Sequence, residues 1–515
     1  MATASPLTIG QYLIQQLCDH GVRHVFGVPG DYSLLFIQQL DKSPVAFINT
    51  ADEQGAGFAA DAYARLGGLG AVCVTYSVGS LKVANAAAQA YAERSPMVVI
   101  CGSPGLAERQ KHPLLHHRVN QFDTQLKIFR ELTVASAALH DPQTACDEID
   151  RCLHAAQRHK RPVYIELPRD MVNVAAHSGH RHVDPPDASD PEALSEAAAE
   201  AAEMIRAARR PIILAGEEIK RFGLQGPLLE LSRRGNLPVA VTLLGKSAVR
   251  EDLPQFVGVY AGALANEETC RFVESCDCFI LLGMMMTDLN LGIFTAHMDR
   301  SRTILANLQG VAIKHHQYDV QMGHFLAALL ERPLGRRDAG PLPRRVTGGA
   351  FVPRAGAAMT NRRLFEKIDS YITDDMVVLA DVGDSLFGGI DLVIRNDGRF
   401  LSSAYYTNMG FAVPGAIGAQ MLDRRLRPLV LVGDGAFQMT GMELSTAARY
   451  GLSPIVVVLN NGGYAPERFF LDGEFNDHIQ YRRSNYNTDN QKHKRPSACH
   501  YVFNVRIKLI LPIGR

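Results

Sequence analysis

The sequence Pro428-Leu-Val-Leu-Val-Gly-Asp-Gly435 joins a strand-length apolar run to a glycine-flanked aspartate. A second apolar run, Ile455-Val-Val-Val-Leu459, leads in the same way into Asn460-Asn461. Two such strand ends place an acid and an amide side by side, and these hard oxygen ligands suit Mg²⁺, which completes its coordination with phosphate oxygens and water. Backbone N–H groups of the turn can bind that phosphate. The two motifs therefore predict a site for a magnesium ion and a phosphate group.

Composition and charge narrow the class of protein. The chain has 515 residues, 47% of them hydrophobic, which is enough for two to three domains. Its formal net charge is zero, so nothing points to nucleic acid or an anionic membrane. Apolar runs are of strand length, and the start, Met1-Ala-Thr-Ala-Ser-Pro6, lacks the pattern of a signal peptide. The cysteine cluster Cys270, Cys276 and Cys278 does not match the spacing of a zinc site. We expect a reduced, soluble, cytoplasmic protein.

Short apolar runs alternate with helical patterns along the chain, as in a parallel sheet covered by helices on both faces. This βαβ rhythm restarts at Pro211 and again at Met376. Linker-like stretches at 175–191 and 332–353 separate the three blocks. The expected fold is α/β, with three doubly wound parallel-sheet domains at residues 5–175, 195–331 and 360–477.

The segment Glu53–Arg65 follows a strand-like run at Ala46–Asn49 and opens a helix rich in small apolar residues. A glutamate at a helix start is ordinarily a surface residue that complements the helix dipole. Together with the two motifs above, however, the segment resembles the cofactor-activating helix of thiamine diphosphate enzymes. The resemblance implies that Glu53 hydrogen-bonds the aminopyrimidine of the cofactor from an apolar place and promotes loss of the thiazolium C2 proton.

Three further segments resemble the 2-oxo acid decarboxylases that act on pyruvate and indolepyruvate. They are Gly27-Val-Pro-Gly-Asp31, Leu114-Leu-His-His117 and Gly463-Tyr-Ala-Pro-Glu467. The resemblance implies that Asp31 and His117 supply the proton that the product needs before the aldehyde leaves, while His116 helps set the titration of the pair. Glu467 would lie beside the departing carboxylate, whose loss is favoured by desolvation and like charge.

The same resemblance assigns the remaining cofactor residues. Gly383-Asp384-Ser385 looks like the loop near the diphosphate and the pyrimidine, and Met409 matches the apolar residue that props the cofactor into its bent shape. Mg²⁺ would be held by Asp434, the Asn461 side chain and the Gly463 carbonyl, and the diphosphate would meet Gly433, Gly435 and Ala436.

The resemblance covers residues 5–477 and implies thiamine diphosphate and Mg²⁺ as cofactors. The segments His116–Gln125 and Arg161–Pro168 are most similar to enzymes for aromatic 2-oxo acids. Phenylpyruvate or indolepyruvate is therefore the expected substrate, with pyruvate and branched-chain oxo acids still open. The family resemblance also implies a homodimer or homotetramer in which the first domain of one chain faces the third domain of its partner.

From His478 the chain departs from the pattern. The tail 478–515 carries eight Lys and Arg residues against one acid and lacks the βα pattern expected to complete the third domain. A frameshifted or truncated reading frame and a basic interaction tail are both open. Two other functions also stay open. One is an acetolactate-synthase-type carboligase or oxidase, suggested by Glu53-Gln54 and Gly433–Met439, and the other is a catalytically impaired homologue that keeps the fold.

Overall fold

The structure, a computed structural model, describes residues 7–177, 188–338, 340–343, 351–396, 398–464 and 467. The strands of this part of the chain form three separate sheets of six, seven and four strands. We call the units around these sheets the first, middle and third domains. None of the helices described is long and apolar enough to cross a membrane.

The first domain is built on a fully parallel sheet. Its strands are His24–Gly27 (β1), Ala46–Asn49 (β2), Gly70–Val74 (β3), Met97–Ser103 (β4), Ala135–Ala138 (β5) and Val163–Pro168 (β6), in the order β2-β1-β3-β4-β6-β5. Its helices are Ile9–Asp19 (α1), Leu34–Asp41 (α2), Glu53–Gly67 (α3), Val78–Ala92 (α4), Leu106–Arg109 (α5), Thr124–Leu132 (α6) and Ala145–His159 (α7). Every residue of β3 and β4 is buried, because helices cover both faces of the sheet.

The middle domain has a mixed sheet. Its helices are Pro191–Ala207 (α8), Glu218–Arg221 (α9), Gln225–Gly235 (α10), Glu267–Glu274 (α11) and Met322–Leu330 (α12). Its strands are Pro211–Ala215 (β7), Val239–Thr242 (β8), Phe256–Tyr260 (β9), Cys278–Leu282 (β10), Thr303–Asn307 (β11), Gly310–Ile313 (β12) and His316–Tyr318 (β13), in the order β13-β12-β11-β10-β7-β8-β9. The strands β12 and β13 are antiparallel, unlike the expectation of a purely parallel sheet. The reason is that two-residue links precede both strands, and such short links only allow hairpins.

The third domain has a parallel four-stranded sheet in the order β15-β14-β16-β17, where the strands are Met376–Ala380 (β14), Phe400–Ser402 (β15), Arg427–Gly433 (β16) and Ile455–Leu459 (β17). Its helices are Asn361–Asp369 (α13), Asp384–Gly389 (α14), Ala412–Leu422 (α15), Asp434–Thr440 (α16) and Leu444–Arg449 (α17). The predicted tail from residue 478 onward lies outside the described residues.

The first and third domains meet where helix α3 packs on helix α15. Small residues allow the backbones to approach closely: a Cβ on Gly418 would overlap the carbonyl oxygen of Ala59. The rings of Phe58 and Phe411 pack edge to face in the same interface, with their centroids 6.0 Å apart. This contact fixes the helix that begins at Glu53 against the domain that carries the predicted metal ligands.

Candidate active site

Three predicted residues of the first domain lie together. Asp31 follows strand β1, and its Oδ2 is 2.7 Å from Nε2 of His116. The rings of His116 and His117 meet edge to face at 4.8 Å, and one side-chain ligand atom of each of the three residues lies within 4.8 Å of the others. The His116 side chain is 59% exposed. A carboxylate and two imidazoles at this spacing can hold and pass a proton.

Neighbours that sequence reasoning missed orient this group. The Tyr32 ring stacks on His116 at 4.9 Å, and burial, followed by the charge of Asp31, raises the pKa of the Tyr32 hydroxyl. Arg169 Nη1 is 4.0 Å from Asp31 Oδ2, and its Nε donates a 3.0 Å hydrogen bond to Glu108. That bond, as the largest cause, lowers the pKa of Glu108. Arg169 directly follows β6, and the carboxyl ends of β6 and β1 lie at the same edge of the parallel sheet. The position of Arg169 at a strand end is therefore the sequence signal that could have identified it as a neighbour of Asp31.

Glu53 is the first residue of helix α3, and the Asp52 side chain caps the helix by accepting from Gln54 N at 2.8 Å. Its side chain is 15% exposed, and its Oε2 lies 3.0 Å from Lys82 Nζ. The family resemblance implies an apolar place for this carboxyl. The structure pairs it with a cation instead, because α4 packs against α3 and brings Lys82 alongside the helix start. No sequence signal marks Lys82.

The turn before Glu53 is held by the third domain. The buried carboxylate of Glu443 accepts hydrogen bonds from the backbone N–H groups of Ala51 at 3.2 Å and Asp52 at 3.0 Å. Thr446 donates a further bond of 2.8 Å, and burial raises the pKa of Glu443. Glu443 therefore fixes the start of α3 from across the domain boundary, a contact between residues nearly four hundred positions apart that no local pattern predicts.

The predicted metal ligands lie together at the carboxyl ends of β16 and β17, next to the predicted cofactor-binding residue Asp384 in the segment after β14. Asp434 Oδ2 accepts from Gly462 N at 3.1 Å, and Asn461 Nδ2 donates to Asp384 Oδ2 at 3.3 Å. Asn461 Oδ1 accepts from the N–H of Gly463 at 3.2 Å. The set offers carboxylate, amide and carbonyl oxygens, which are the donors that Mg²⁺ prefers. These residues fit the ion.

The neighbouring loop fits a phosphate group. Gly383 has φ 80° and ψ −142°, a conformation that a residue with a side chain rarely adopts. The Ser385 hydroxyl is buried and finds no hydrogen-bond partner among the described residues. A Cβ built on Gly433 would have no atom within 4 Å, so space is open beside this turn. An unpartnered buried donor beside an open glycine turn suits an anionic oxygen.

Met409 is half-buried, and the residue after it is fixed by a carboxylate that the sequence analysis missed. Gly410 N donates to both oxygens of Asp381, at 3.0 and 3.1 Å, and Ala412 N donates at 3.1 Å. Burial raises the pKa of Asp381 to about 6, although these N–H groups favour its charged form. Asp381 directly follows strand β14, so its position resembles that of Asp434 directly after β16. An aspartate directly after a predicted strand is therefore the sequence signal that could have identified Asp381 as a site residue.

The structure does not join every predicted residue to the site. Glu467 is helical and exposed, but its neighbours 465–466 and 468–515 lie outside the described residues, and none of its described contacts reaches the other candidates. Ala436 lies buried in α16, two residues beyond Asp434. Asp31, His116, His117 and Glu53 thus belong to the first domain, and the residues predicted to bind the metal and the diphosphate belong to the third.

Comparison with known proteins identifies the family to which this chain belongs. Residues 7–126 match the model of the thiamine pyrophosphate enzyme N-terminal TPP binding domain, 198–332 match the central domain and 381–508 match the C-terminal TPP binding domain. The chain belongs to the thiamine pyrophosphate enzyme family. The third match runs past residue 477, where the sequence analysis ends the resemblance, so the domain limit at 477 and the tail from 478 stay predictions.

Individual relatives are named as decarboxylases. The chain is 36% identical over 488 residues to an indole-3-pyruvate decarboxylase of Azospirillum brasilense, covering 92% of this chain and 88% of the relative. It is 35% identical over 474 residues to an alpha-keto-acid decarboxylase of Mycobacterium leprae, with 90% and 82% covered. A third relative, an alpha-keto-acid decarboxylase of Mycolicibacterium paratuberculosis, is 34% identical over 505 residues, with 93% and 87% covered.

Proposed function

We propose that this protein is a thiamine diphosphate-dependent decarboxylase that converts a 2-oxo acid to the aldehyde and CO₂, and that it prefers an aromatic substrate such as phenylpyruvate or indolepyruvate. The observation that carries the reaction is the 2.7 Å hydrogen bond between Asp31 and His116, with His117 beside it. The names of the relatives support the substrate class, since the first is an indole-3-pyruvate decarboxylase and the others act on alpha-keto acids.

The third domain and Glu53 would hold the cofactor. Asp434, Asn461 and the Gly463 carbonyl would bind Mg²⁺, and the unpartnered Ser385 hydroxyl, with Asp384, Gly433, Gly435 and Ala436 around it, would meet the diphosphate. Met409 would support the bend of the cofactor, and Glu53 would hydrogen-bond its aminopyrimidine. When bound, thiamine diphosphate would supply a nucleophilic carbon for addition to the substrate carbonyl and a cationic thiazolium ring that takes up the electron pair left when CO₂ departs.

The side chains of the first domain would handle the proton. A proton held between His116 Nε2 and Asp31 Oδ2 is available at the mouth of the site, because His116 is largely exposed and Asp31 is 38% exposed. His117 would pass it to the product carbon before the aldehyde leaves. Glu467 would lie beside the substrate carboxylate, where like charge favours its departure. Arg169 and Tyr32 keep Asp31 and His116 in place.

We also propose a homodimer or homotetramer whose sites form between chains. Both the first domain and the third domain carry exposed apolar side chains, and exposed patches of this kind mark interaction surfaces. In the first domain they are Leu34, Leu35, Val78 and Leu81, and in the third domain they are Tyr405, Tyr406, Met439 and Met442. The domain limits 5–175, 195–331 and 360–477 and a cytoplasmic location complete the proposal. The described cysteines, all of them free, are compatible with a reducing compartment.

An acetolactate-synthase-type carboligase is the alternative from the sequence. The Asp31–His116–His117 group speaks against it, since the resemblance ties the paired histidines to the decarboxylase branch. A yellow, flavin-containing preparation would favour the carboligase or oxidase. The impaired-homologue alternative depends on residues after 477, and it predicts cofactor binding without CO₂ release.

The experiment is a CO₂-release screen with pyruvate, phenylpyruvate, indolepyruvate and a branched-chain oxo acid, with and without thiamine diphosphate and Mg²⁺. We expect release that requires both cofactors and a higher kcat/KM for the aromatic acids than for pyruvate. Equal or greater kcat/KM with pyruvate would overturn the aromatic preference. Cofactor-dependent formation of 2-acetolactate without aldehyde would overturn the decarboxylase function itself.

A further inference from the structure

A strained turn joins strand β3 to helix α4. Ser77 has φ 52° and ψ −68°, and Val78 N donates to the carbonyl of Tyr76 at 2.7 Å. This is a γ-turn of the rare, unfavourable hand, at a residue that is not glycine. Ser77 is buried and its side chain does not cap the helix that follows. Strained backbone of this kind persists only where surrounding contacts force it, and such residues cluster at functional sites.

The turn lies between Glu53 and the loop that carries Asp31. We call these two groups, together with His116 and His117, the first-domain site. A Cβ on Gly79 would lie 3.6 Å from Glu53 Oε1 and 3.4 Å from the Thr75 methyl carbon. On the other side, a Cβ on Gly30, the residue before Asp31, would overlap the Thr75 side chain. The segment 75–79 therefore lies beside both groups: Gly79 leaves no more than the room of a methyl group next to the Glu53 carboxylate, and the Thr75 side chain packs against Gly30 of the Asp31 loop. A shift of this turn would change the spacing between the two.

A fully buried glutamine holds the turn. Gln125 Oε1 accepts hydrogen bonds from Ser77 N and from the Ser80 hydroxyl, both at 2.8 Å. Its Nε2 donates to Glu166 Oε2 at 3.0 Å, which fixes the orientation of the amide. Gln125, Ser80 and Glu166 are at most 1% exposed, so water cannot replace these bonds. Without the Gln125 oxygen, the N–H of Ser77 would be buried and unpaired.

The same glutamate reaches the histidine segment by a second route. Glu166 Oε1 accepts from Arg109 Nη2 at 3.0 Å, and Arg109 also donates to Ser103 Oγ at 2.7 Å and to the Pro104 carbonyl at 3.0 Å. Arg109 ends helix α5, from which the chain runs directly into the segment with the paired histidines. Burial alone would raise the pKa of Glu166, but a hydrogen bond from His140, followed by the charge of Arg109, holds this pKa below its ordinary value. A buried carboxylate that is charged and paired in this way anchors both of its partners.

We infer that Glu166 is a positioning residue for catalysis: through Gln125 it holds the strained Ser77 turn between Glu53 and Asp31, and through Arg109 it anchors the segment that carries His116 and His117. The inference rests on the proposed function, since it assigns a purpose to the spacing of the proposed catalytic groups. A carboxylate that served only to satisfy buried donors would affect stability and leave turnover by the folded protein unchanged.

The test compares Gln125→Met with Gln420→Met in the full chain. Both are buried glutamines that use their amide oxygen and nitrogen, but Gln420 joins Leu426 and Ser453 of the third domain and has no bond to the first-domain site. Hydrogen exchange of the segment 75–81 is measured first, without cofactor. We expect exchange of the Ser77 amide to accelerate about tenfold or more in Gln125→Met and to stay at the wild-type rate in Gln420→Met.

Kinetic measurements then distinguish a role in positioning the catalytic groups from a role in the stability of the fold. In Gln125→Met we expect kcat to fall on the order of tenfold to a hundredfold, with proton/deuterium exchange at C2 of bound thiamine diphosphate slowed, while the two methionine variants unfold at similar temperatures. Unchanged protection of Ser77, or equal loss of kcat in both methionine variants, would overturn the inference. If the wild-type protein releases no CO₂ from any 2-oxo acid, the proposed function fails, and protection of Ser77 alone decides whether the network holds the turn.

A second variant covers the case in which Gln125→Met does not fold. Glu166→Gln keeps the shape of the side chain but removes the charge that pairs with Arg109. We expect faster hydrogen exchange in both 75–81 and 110–118, together with a lower kcat. Wild-type exchange in both segments would contradict the assignment of Glu166 as the common anchor.

Discussion

The imidazole Nε2 of His116 lies 2.7 Å from Oδ2 of Asp31, although the two residues are 85 positions apart in the chain. Asp31 comes from the loop after β1, and His116 comes from the segment after α5. The arrangement depends on the fixed sheet edge at which both segments emerge. It places a carboxylate and an imidazole in direct hydrogen-bond contact on the exposed side of the first domain, with the second imidazole, His117, in edge-to-face contact with the first.

His117→Phe should separate CO₂ release from aldehyde release. Phenylalanine fills a similar space but cannot carry a proton, so we expect slow CO₂ release and less than one aldehyde for each CO₂. The measurement is the quantity of both products in the same reaction, with an acceptor aldehyde added in a parallel run to detect carboligation. His112→Phe is the control, because His112 is an exposed histidine of the same segment that stacks on Phe122. An aldehyde yield of one in His117→Phe would remove His117 from the mechanism.

Glu53→Gln should retain the cofactor but lose turnover. The amide has the same shape but cannot exchange a proton with the aminopyrimidine, so we expect kcat to fall by roughly a hundredfold to ten-thousandfold. Proton/deuterium exchange at C2 of bound thiamine diphosphate checks the step directly and should slow in parallel. Asp52→Asn is the matched control: it changes the adjacent carboxylate that also contacts Lys82, and asparagine caps a helix as well as aspartate does. Near-normal C2 exchange in Glu53→Gln would show that another group activates the cofactor.

The features that the sequence predicted are those that local pattern determines. The runs ending at Gly433 and Leu459 are buried parallel strands, and Asp434 and Asn461 follow them at one sheet edge. The carboxyl ends of the strands in a parallel sheet all lie at the same edge. The proximity of Asp434 and Asn461 could therefore be predicted from the sequence alone. The Asp31–His116 pairing was available only through resemblance, because no periodicity relates a loop to a segment 85 residues later.

The features that the sequence did not predict depend on packing between elements. Lys82 reaches Glu53 because α3 and α4 pack together, and Glu443 reaches the turn before Glu53 across a domain boundary. The antiparallel strands β12 and β13 follow from links of two residues, which resemble ordinary surface turns in the sequence. In each case tertiary structure brings the contacting residues together. The helix or strand preference of the individual residues therefore does not predict these contacts.

Asp434→Ala should abolish binding of metal and diphosphate together. Mg²⁺ would be held by Asp434 together with the diphosphate, so removal of this charged ligand should weaken the binding of both. A ligand that binds the folded state raises the unfolding temperature, and we expect thiamine diphosphate with Mg²⁺ to raise it in the wild-type protein and not in Asp434→Ala. Asp423→Ala is the control, because this carboxylate of the same domain is bound to Arg425 on the surface. Magnesium-dependent stabilisation that survives in Asp434→Ala would place the metal elsewhere.

Glu217→Gln should stabilise the protein above neutral pH. Glu217 is buried, and burial, together with the charge of Glu218, raises its pKa to about 8. The ordinary pKa of glutamate is lower, so between pH 5 and 8 the folded state binds the extra proton, and stability falls as the pH rises through this window. Above pH 8 the folded protein carries the full cost of a buried charge, which glutamine avoids while keeping an acceptor for Met285 N, now 3.1 Å from Glu217 Oε1.

We therefore expect the stability of Glu217→Gln to exceed that of the wild-type protein by on the order of 3 kcal/mol at pH 8.5 and to match it near pH 5. Thermal unfolding from pH 5 to 9, in the absence of cofactor, checks this. Glu230→Gln is the control, because hydrogen bonds from Arg233 and Arg234 lower the pKa of Glu230 to about 2, outside the window. If the difference between Glu217→Gln and wild type does not change with pH, Glu217 is ionised in the folded protein throughout the window, and its neighbours Arg94 and Arg221 compensate its charge.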